Sequence, residues 1–486
     1  MKPQNLVIIM SDEHSRAMSG AYGHPLISTP NIDSLAARGT LFEQAYTPCP
    51  VCVPARAAFA VGKHNHQIGF WDNADPYDGS VRSWHHRLRD AGHEVVSIGK
   101  LHFRSSDDDN GFSREIVPMH VIEGKGDLMG LVRDELPVRG MSWKMARLAG
   151  PGESPYTWYD RQIACETWKW LHDEAPKHRD RPWVLFVSFV TPHFPLTAPP
   201  EHYYRYYDDP RLQMPKLYDA AQRPDHPYLR TYAAAFNYDD HFEDADNVRR
   251  AVAGYHGLCS FLDEQIGKVL RAIDETGHGD NTRIVYTSDH GDNLGARGVW
   301  GKSTMYEEAA AVPLIAVGDG LPERQRCATP VTLLDLYPFI MEAVGAIGPD
   351  MIDEDHHGCS IAQIANGVVP DRSILSEYHA MGSTTAAYMI RHGRWKYIHY
   401  VAHPPQLFDL EADPEELHDL GTDNAHAEIR AACEARLRSM LDPEETDRRA
   451  KARQAELMAL NGGREAVIAR GDLGFSPPPG YAAELG

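Results

Sequence analysis

Five short stretches of the chain are almost unbroken in apolar residues: Leu6 to Met10, His93 to Ile98, Trp183 to Val190, Arg283 to Thr287 and Pro313 to Val317. A strand with one wet face alternates apolar and polar residues, whereas a strand covered on both faces need not. These stretches therefore predict a mostly parallel sheet buried on both sides. Between them, apolar residues recur at helical spacing over Ile32 to Arg38, Asn247 to Glu275 and Leu333 to Val344, which predicts helices flanking that sheet. The fold class is α/β.

Beyond about Pro370 the texture changes. Ala387 to Ile390 and Trp395 to Ile398, either side of Arg391-His392-Gly393-Arg394, predict a hairpin; Leu407 to Leu410 predicts a further strand and Ala425 to Met440 a helix. The chain thus divides into a large α/β domain over 1–370, a C-terminal α+β subdomain over 371–446 and an extended tail over 447–486. The tail is charged, then rich in Gly and Pro, and cannot build a core of its own. It is expected to be loose or to pack on a neighbouring subunit, as in a homo-oligomer, a dimer or tetramer.

Charge narrows the partners. Lys and Arg number 48 against 69 Asp and Glu, a formal net charge of −21 that repels nucleic acid phosphates and anionic lipid. Neither nucleic acid nor membrane is an expected partner, and no apolar run approaches a membrane span. The seven cysteines are odd in number and scattered, unlike a disulfide framework. The N-terminus runs straight into Leu6 to Met10, too short for the apolar region of a signal peptide, so the protein is read as cytoplasmic. The same field repels anionic substrates, which would need a local cluster of cations.

Polar clusters follow the predicted strands, where open α/β sheets bind ligands. Asp12-Glu13-His14 follows the first, and Asp289-His290-Gly291-Asp292 follows the one at Arg283. Hard oxygens with an imidazole beside them suit a divalent cation, although each cluster alone also reads as turn or helix-cap residues. Lys100 and His102, His193, and Lys302 supply two ammonium groups and two imidazoles at further strand ends. Singly these read as surface or loop residues; jointly they form the cation cluster an anionic substrate requires.

The sharpest segment is Cys52-Val53-Pro54-Ala55-Arg56, with Gly62 beyond it. Cys49 and Cys52 are spaced as a redox or zinc half-site, but no second Cys or His pair completes four ligands nearby. The segment resembles the Cys-x-Pro-x-Arg signature of the formylglycine-dependent (type I) sulfatases of the alkaline phosphatase superfamily, with Val61 where that family usually has Thr. The resemblance extends in order through Asn5 to Asp12, Thr29 to Asp33, Gly99 to His102, Pro192 to Pro195, Ser288 to Gly291 and Leu407 to Leu410 with Asp413-Pro414. Trp71-Asp72-Asn73-Ala74 and the tail bring it nearest to the bacterial choline-sulfatase-like group.

The resemblance implies an alkaline-phosphatase-like core and a sulfuric ester hydrolase that uses a formylglycine-generating enzyme as a transient partner. Cys52 would become formylglycine, whose hydrated aldehyde supplies the nucleophilic oxygen and is regenerated as sulfate leaves. A divalent cation, Ca2+ before Mn2+ or Mg2+, would be held by Asp12, Asp289, His290 and the residue at Cys52; Glu13 stands where many relatives have a second Asp. By the same carry-over Arg56 holds the formylglycine diol, Asp289 accepts its proton, Lys100 and Lys302 grip sulfate, His102 assists aldehyde regeneration and His193 protonates the leaving alcohol.

Asn73 and Glu377 match substrate-pocket positions of the choline-sulfatase-like group, and Trp143, Trp158 and Tyr159 are candidates for an aromatic wall as much as for bland surface. The expected substrate is an aryl or small alkyl sulfate ester, with choline sulfate as one candidate. Phosphonate monoester or phosphodiester hydrolysis on the same scaffold is the alternative, which the Lys100/His102 pair disfavours.

Overall fold

The computed structural model describes residues 1–348, 351–369 and 371–486. Eight strands form one sheet: β1 (Asn5–Asp12), β2 (Thr40–Phe42), β3 (Val95–Lys100), β4 (Arg114–Met119), β5 (Val184–Pro192), β6 (Thr282–Ser288), β7 (Leu314–Val317) and β8 (Gln325–Cys327). Their order across it is β8-β2-β7-β6-β1-β5-β3-β4. Every pairing is parallel except those of β7, which runs antiparallel to both β2 and β6.

The five apolar stretches became β1, β3, β5, β6 and β7. The pattern missed β2 and β8, which are three residues long, and β4, an edge strand whose charged start dilutes the apolar signal. Helices α1 (Pro30–Arg38), α2 (Cys52–Val61), α3 (Pro155–Asp173), α4 (Pro227–Phe236), α5 (Ala245–Glu275) and α6 (Leu336–Val344) belong to this part of the chain. Along β1, Leu6, Ile8 and Met10 face one core with Phe59 of α2 and Phe339 of α6, while Val7 and Ile9 face another with Ile163 of α3 and Ile266 of α5. Two apolar faces explain why the strand sequence does not alternate.

Strands β9 (Ser373–Tyr378), β10 (Ala387–His392), β11 (Trp395–Tyr400) and β12 (His403–Asp409) form an antiparallel sheet in sequence order, with α7 (Ala427–Met440) against it. The expected hairpin is β10 and β11. Pro370, the expected boundary residue, lies outside the described residues.

The tail differs from expectation. It folds into α8 (Pro443–Leu460) and α9 (Arg464–Ala469) and returns to its own chain. Gln454 donates to Asp72 Oδ2 (2.6 Å) and to the His379 carbonyl (2.7 Å), and Val467 packs with Leu128, Leu131 and Val132. The tail needs no core of its own because that segment supplies the opposing apolar surface. Among the described residues no helix is long and apolar enough to cross a membrane.

Candidate active site

Strands β6, β1, β5 and β3 are neighbours, so their carboxyl ends bring Asp289 and His290, Asp12 and Glu13, His193, and Lys100 and His102 to one edge of the sheet. Gly99 permits the close approach of β3 to β5: at φ 104° its Cβ position lies 2.2 Å from the Ser188 carbonyl oxygen, space no side chain can share. Glu13 (φ 71°), His102 (φ 55°) and Ser303 (φ 79°) all adopt left-handed backbone, the kind of local strain that persists where surrounding contacts over-determine it.

The signature segment is helix α2. Cys52 is its first residue and Pro54 lies in its first turn, where a missing N–H leaves no intrahelical bond unmade. Gly62 ends it at φ 75°, its N–H bonded to the Ala58 carbonyl, and a Cβ there would meet the Tyr337 ring at 2.6 Å. All ten helical residues are buried. Asn73 Oδ1 accepts from the Val53 N–H (3.2 Å), one of the helix's free terminal donors.

Around Cys52 Sγ stand His290 Nε2 at 3.1 Å, Lys302 Nζ at 3.2 Å and Asp12 Oδ1 at 3.5 Å. Arg56, one turn along α2, donates from Nε to Asp289 Oδ2 (2.7 Å) and from Nη1 to the Lys100 carbonyl (2.8 Å) and Ser188 Oγ (2.9 Å). The Lys100 ammonium touches Asp12 Oδ2. Lys302 Nζ also reaches Glu13 Oε2 (3.2 Å) and His193 Nε2 (2.7 Å). Three acidic and three basic side chains thus share one buried volume, which brings the Arg56, Lys100 and Lys302 side chains together despite the acidic chain.

Hydrogen bonds fix the imidazoles. His290 Nδ1 faces the Gly291 carbonyl (3.0 Å) and His193 Nδ1 the Phe194 carbonyl (2.6 Å), so each Nδ1 carries the proton and each Nε2 offers a lone pair. Burial pushes His290 down to about 3 and holds His193 well below the usual range. Burial raises the Glu13 carboxyl well above its ordinary value against the pull of Lys302. Burial pushes the Cys52 thiol up, against the pull of Lys302. Burial pulls the Lys302 ammonium down, but the thiol and carboxylate groups facing it, Cys52, Glu13 and Asp289, hold it above its ordinary value, whereas burial drives Lys100 down.

Donor atoms of Asp12, Cys52, Asp289 and His290 lie within 4.8 Å of one another, and so do those of Asp12, Glu13 and His193. Two carboxylates plus an imidazole lone pair form a donor set that fits a hard divalent cation.

Cys52, His102, His193 and Lys302 lie at a cavity that Asn73 also lines. Its apolar wall is Met141, Phe194, Tyr232, Phe236, Tyr238 and Phe475. None of these was expected from the sequence as a pocket wall, because the wall draws on four separate segments that only the fold joins. The expected aromatics do not line it: Trp158 is exposed, Tyr159 is buried with its hydroxyl on the Val117 carbonyl, and Trp143 lies elsewhere. Glu377 is not at this cavity either. It accepts from the His66 N–H (3.0 Å), His66 Nδ1 (3.0 Å) and His379 Nε2 (3.0 Å), which hold its carboxyl well below the usual range despite burial.

Comparison with known proteins agrees with this geometry. Residues 4–346 match the profile of the Sulfatase family, and residues 295–442 match the profile described as N-sulphoglucosamine sulphohydrolase, C-terminal. The chain is 32% identical over 430 residues to the choline-sulfatase of Rhizobium meliloti (strain 1021), covering 86% of this chain and 82% of that protein. It is 27% identical over 469 residues to arylsulfatase K of Canis lupus familiaris, covering 90% and 82%. The phosphonate monoester hydrolase of Agrobacterium radiobacter shares the fold, with a TM-score of 0.71 at 21% identity over 90% of this chain and 95% of that one.

Proposed function

Because this chain belongs to the sulfatase family of the alkaline phosphatase superfamily and is a sulfuric ester hydrolase, we propose that it cleaves a small sulfate monoester with a formylglycine generated at Cys52. The observation that carries this reading is the convergence of Lys302 Nζ, His290 Nε2 and Asp12 Oδ1 within 3.5 Å of the Cys52 sulfur. Cys52 and Arg56 lie on one turn of the helix, so a formylglycine at Cys52 would stand within the same buried set of acidic and basic groups. As its hydrate, formylglycine supplies a nucleophilic oxygen and a way to release sulfate without water attacking the ester.

Asp12, Asp289 and His290 would hold a divalent cation, with Ca2+ the first candidate and Mn2+ or Mg2+ the others. Bound there, such a cation acidifies a neighbouring hydroxyl and offsets charge on the sulfuryl group. Arg56 orients Asp289 through their 2.7 Å bond, leaving Asp289 Oδ1 to the Glu13 and His290 amides. Lys100 and Lys302 neutralise the sulfate oxygens, and a positive Lys302 donates to His193 Nε2. His193 Nε2, held beside the reacting centre by that bond, is the group proposed to deliver a proton to the departing alkoxide. His102, whose ring nitrogens have no hydrogen-bond partner among the described residues, is the remaining group for aldehyde regeneration.

The alcohol faces the apolar wall. Arg139 sits between Asp127 Oδ2 and Asp472 Oδ1, each at 2.7 Å, so that edge of the cavity carries one excess negative charge and favours a neutral or cationic alcohol. Aryl esters and choline sulfate both satisfy this. Asn73 is proposed to touch the alcohol, whereas Glu377 would act only through the loop it supports, its N–H being bonded to the Pro48 carbonyl (2.9 Å). A homo-oligomer remains proposed, and light scattering on the full chain decides it.

Peptide mass spectrometry tests the reading. Trypsin cutting after Arg38 and Arg56 releases Gly39 to Arg56, which contains both Cys49 and Cys52. The expected result is an alkylated Cys49 beside a Cys52 that has lost its sulfur and reacts as an aldehyde. Active protein with both thiols alkylated would refute the mechanism. A panel of sulfate against phosphonate esters then separates the proposed activity from phosphonate or phosphodiester hydrolysis.

A further inference from the structure

Lys302 stands on a backbone that would not hold its shape unaided. The residues on either side, Gly301 at φ 67° and Ser303 at φ 79°, both adopt left-handed conformations, and Ser303 does so without glycine's freedom. Conformations of this kind are kept only where neighbours fix them. Here the fixing is concentrated in Asn293, a residue 2% exposed that touches none of the reacting groups.

Asn293 accounts for both carbonyls of the turn. Its backbone N–H and its Nδ2 each donate to the Gly301 oxygen (2.6 Å and 2.6 Å), and Nδ2 donates again to the Lys302 oxygen (3.1 Å). Its Oδ1 accepts from Thr304 Oγ1 (2.7 Å), which sets the carboxamide so that its donors meet the two carbonyls. The Tyr232 hydroxyl donates to the Lys302 oxygen (3.0 Å), Asp292 Oδ1 accepts from the Gly301 N–H (3.0 Å), and the Ser303 N–H ties the turn to the Pro50 carbonyl, two residues before Cys52 (2.9 Å). A lysine side chain has four rotatable carbons, so its ammonium is placed only as well as its backbone is.

We infer that Asn293 is a positioning residue for catalysis, which acts by clamping the Gly301–Ser303 turn so that the Lys302 ammonium stays between Cys52, Glu13 and His193. The inference rests on the reading of Lys302 as a sulfate-binding cation. Asn293→Asp keeps the volume but replaces the donor with an oxygen facing the two carbonyls. Asn293→Ala removes the carboxamide bonds to both carbonyls without adding charge, keeping only the backbone N–H to Gly301, and Thr304→Val removes only the contact that orients the carboxamide.

A double-mutant cycle with Lys302→Ala tests it, with rates expressed per formylglycine-bearing chain and inorganic sulfate used as a competitive inhibitor. Lys302→Ala is expected to lower kcat/KM by roughly 10²–10³-fold. Asn293→Asp and Asn293→Ala are each expected to lower it by roughly 10–100-fold and to weaken sulfate inhibition, with Thr304→Val losing less. On the Lys302→Ala background either Asn293 change should then cost no more than about twofold, since the group it positions is gone. Full additivity, or unchanged kcat/KM and sulfate inhibition in both Asn293 variants, overturns the clamp and leaves the Lys302 reading intact. An unaffected Lys302→Ala overturns both.

Discussion

The Tyr156 hydroxyl donates to the Ser476 carbonyl at 2.5 Å, joining helix α3 of the large α/β unit to the last segment of the chain. The same tyrosine ring meets His193 edge-on at 5.7 Å and Phe475 at 5.6 Å. A tail expected to leave its own fold instead ends beside the proposed acid. Further contacts hold it: Asp472 accepts from the Met141 N–H (2.8 Å) and exchanges two backbone hydrogen bonds with Gly486 (2.8 and 3.0 Å), while Lys144 Nζ lies 4.6 Å from the Phe475 ring centre.

Phe475→Ala opens one wall of the cavity without touching the reacting groups. We expect KM for an aryl sulfate to rise roughly tenfold, about 1.4 kcal/mol of binding, with kcat nearly unchanged. Steady-state kinetics on the purified variant checks this; an unchanged KM would mean that the alcohol does not reach Phe475.

Lys100 stands against Asp12. Removing it should leave a carboxylate without its counter-charge as well as a sulfate oxygen without a partner. Lys100→Ala is expected to reduce turnover by roughly 10²–10³-fold. Wild-type turnover in that variant would take Lys100 out of the site.

Cation binding should be visible without an activity assay. Anything that binds only the native state raises its melting temperature, so a chelator should lower Tm of the wild type and leave Asp12→Asn and His290→Ala unmoved. Both variants should lose at least roughly 100-fold in activity, since even residues that merely support metal ligands are worth 10–100-fold. Equal chelator shifts in wild type and variants would refute the assignment of Asp12 and His290.

Asp72 gives a pH signature away from the reacting groups. Burial first, and Asp75 second, push its carboxyl up to about 7, against hydrogen bonds from Gln454 and the Ala74 N–H. Between about pH 4 and pH 7 the native state therefore keeps a proton that the unfolded chain releases, and this group's contribution to stability falls as pH rises through that window. Across that window the Tm of Asp72→Asn relative to the wild type should therefore rise with pH. Identical slopes would show that Asp72 is ionised in the native protein.

Local sequence was enough to mark the central strands of the sheet and the segments that carry the candidate site. Unbroken apolar runs marked β1, β3, β5, β6 and β7 because strands buried on both faces need no polar positions. Asp12, Cys52, Lys100, His193 and Asp289 were legible because each follows a predicted strand or lies in the signature segment, and because the family resemblance runs through all five positions. What no local pattern carries is which distant segments meet. The cavity wall joins Met141, Phe194, Phe236 and Phe475 from four separate stretches, and the aromatics nearest to hand in sequence, Trp158 and Tyr159, turn elsewhere. Glu377 pairs with His66 across 311 residues, and the tail finds its apolar partner at Leu128 to Val132. Apolar burial and charge pairing depend on proximity in space rather than order in the chain, so those partnerships, and the clamp that Asn293 makes on the Lys302 turn, were decided only when the chain folded.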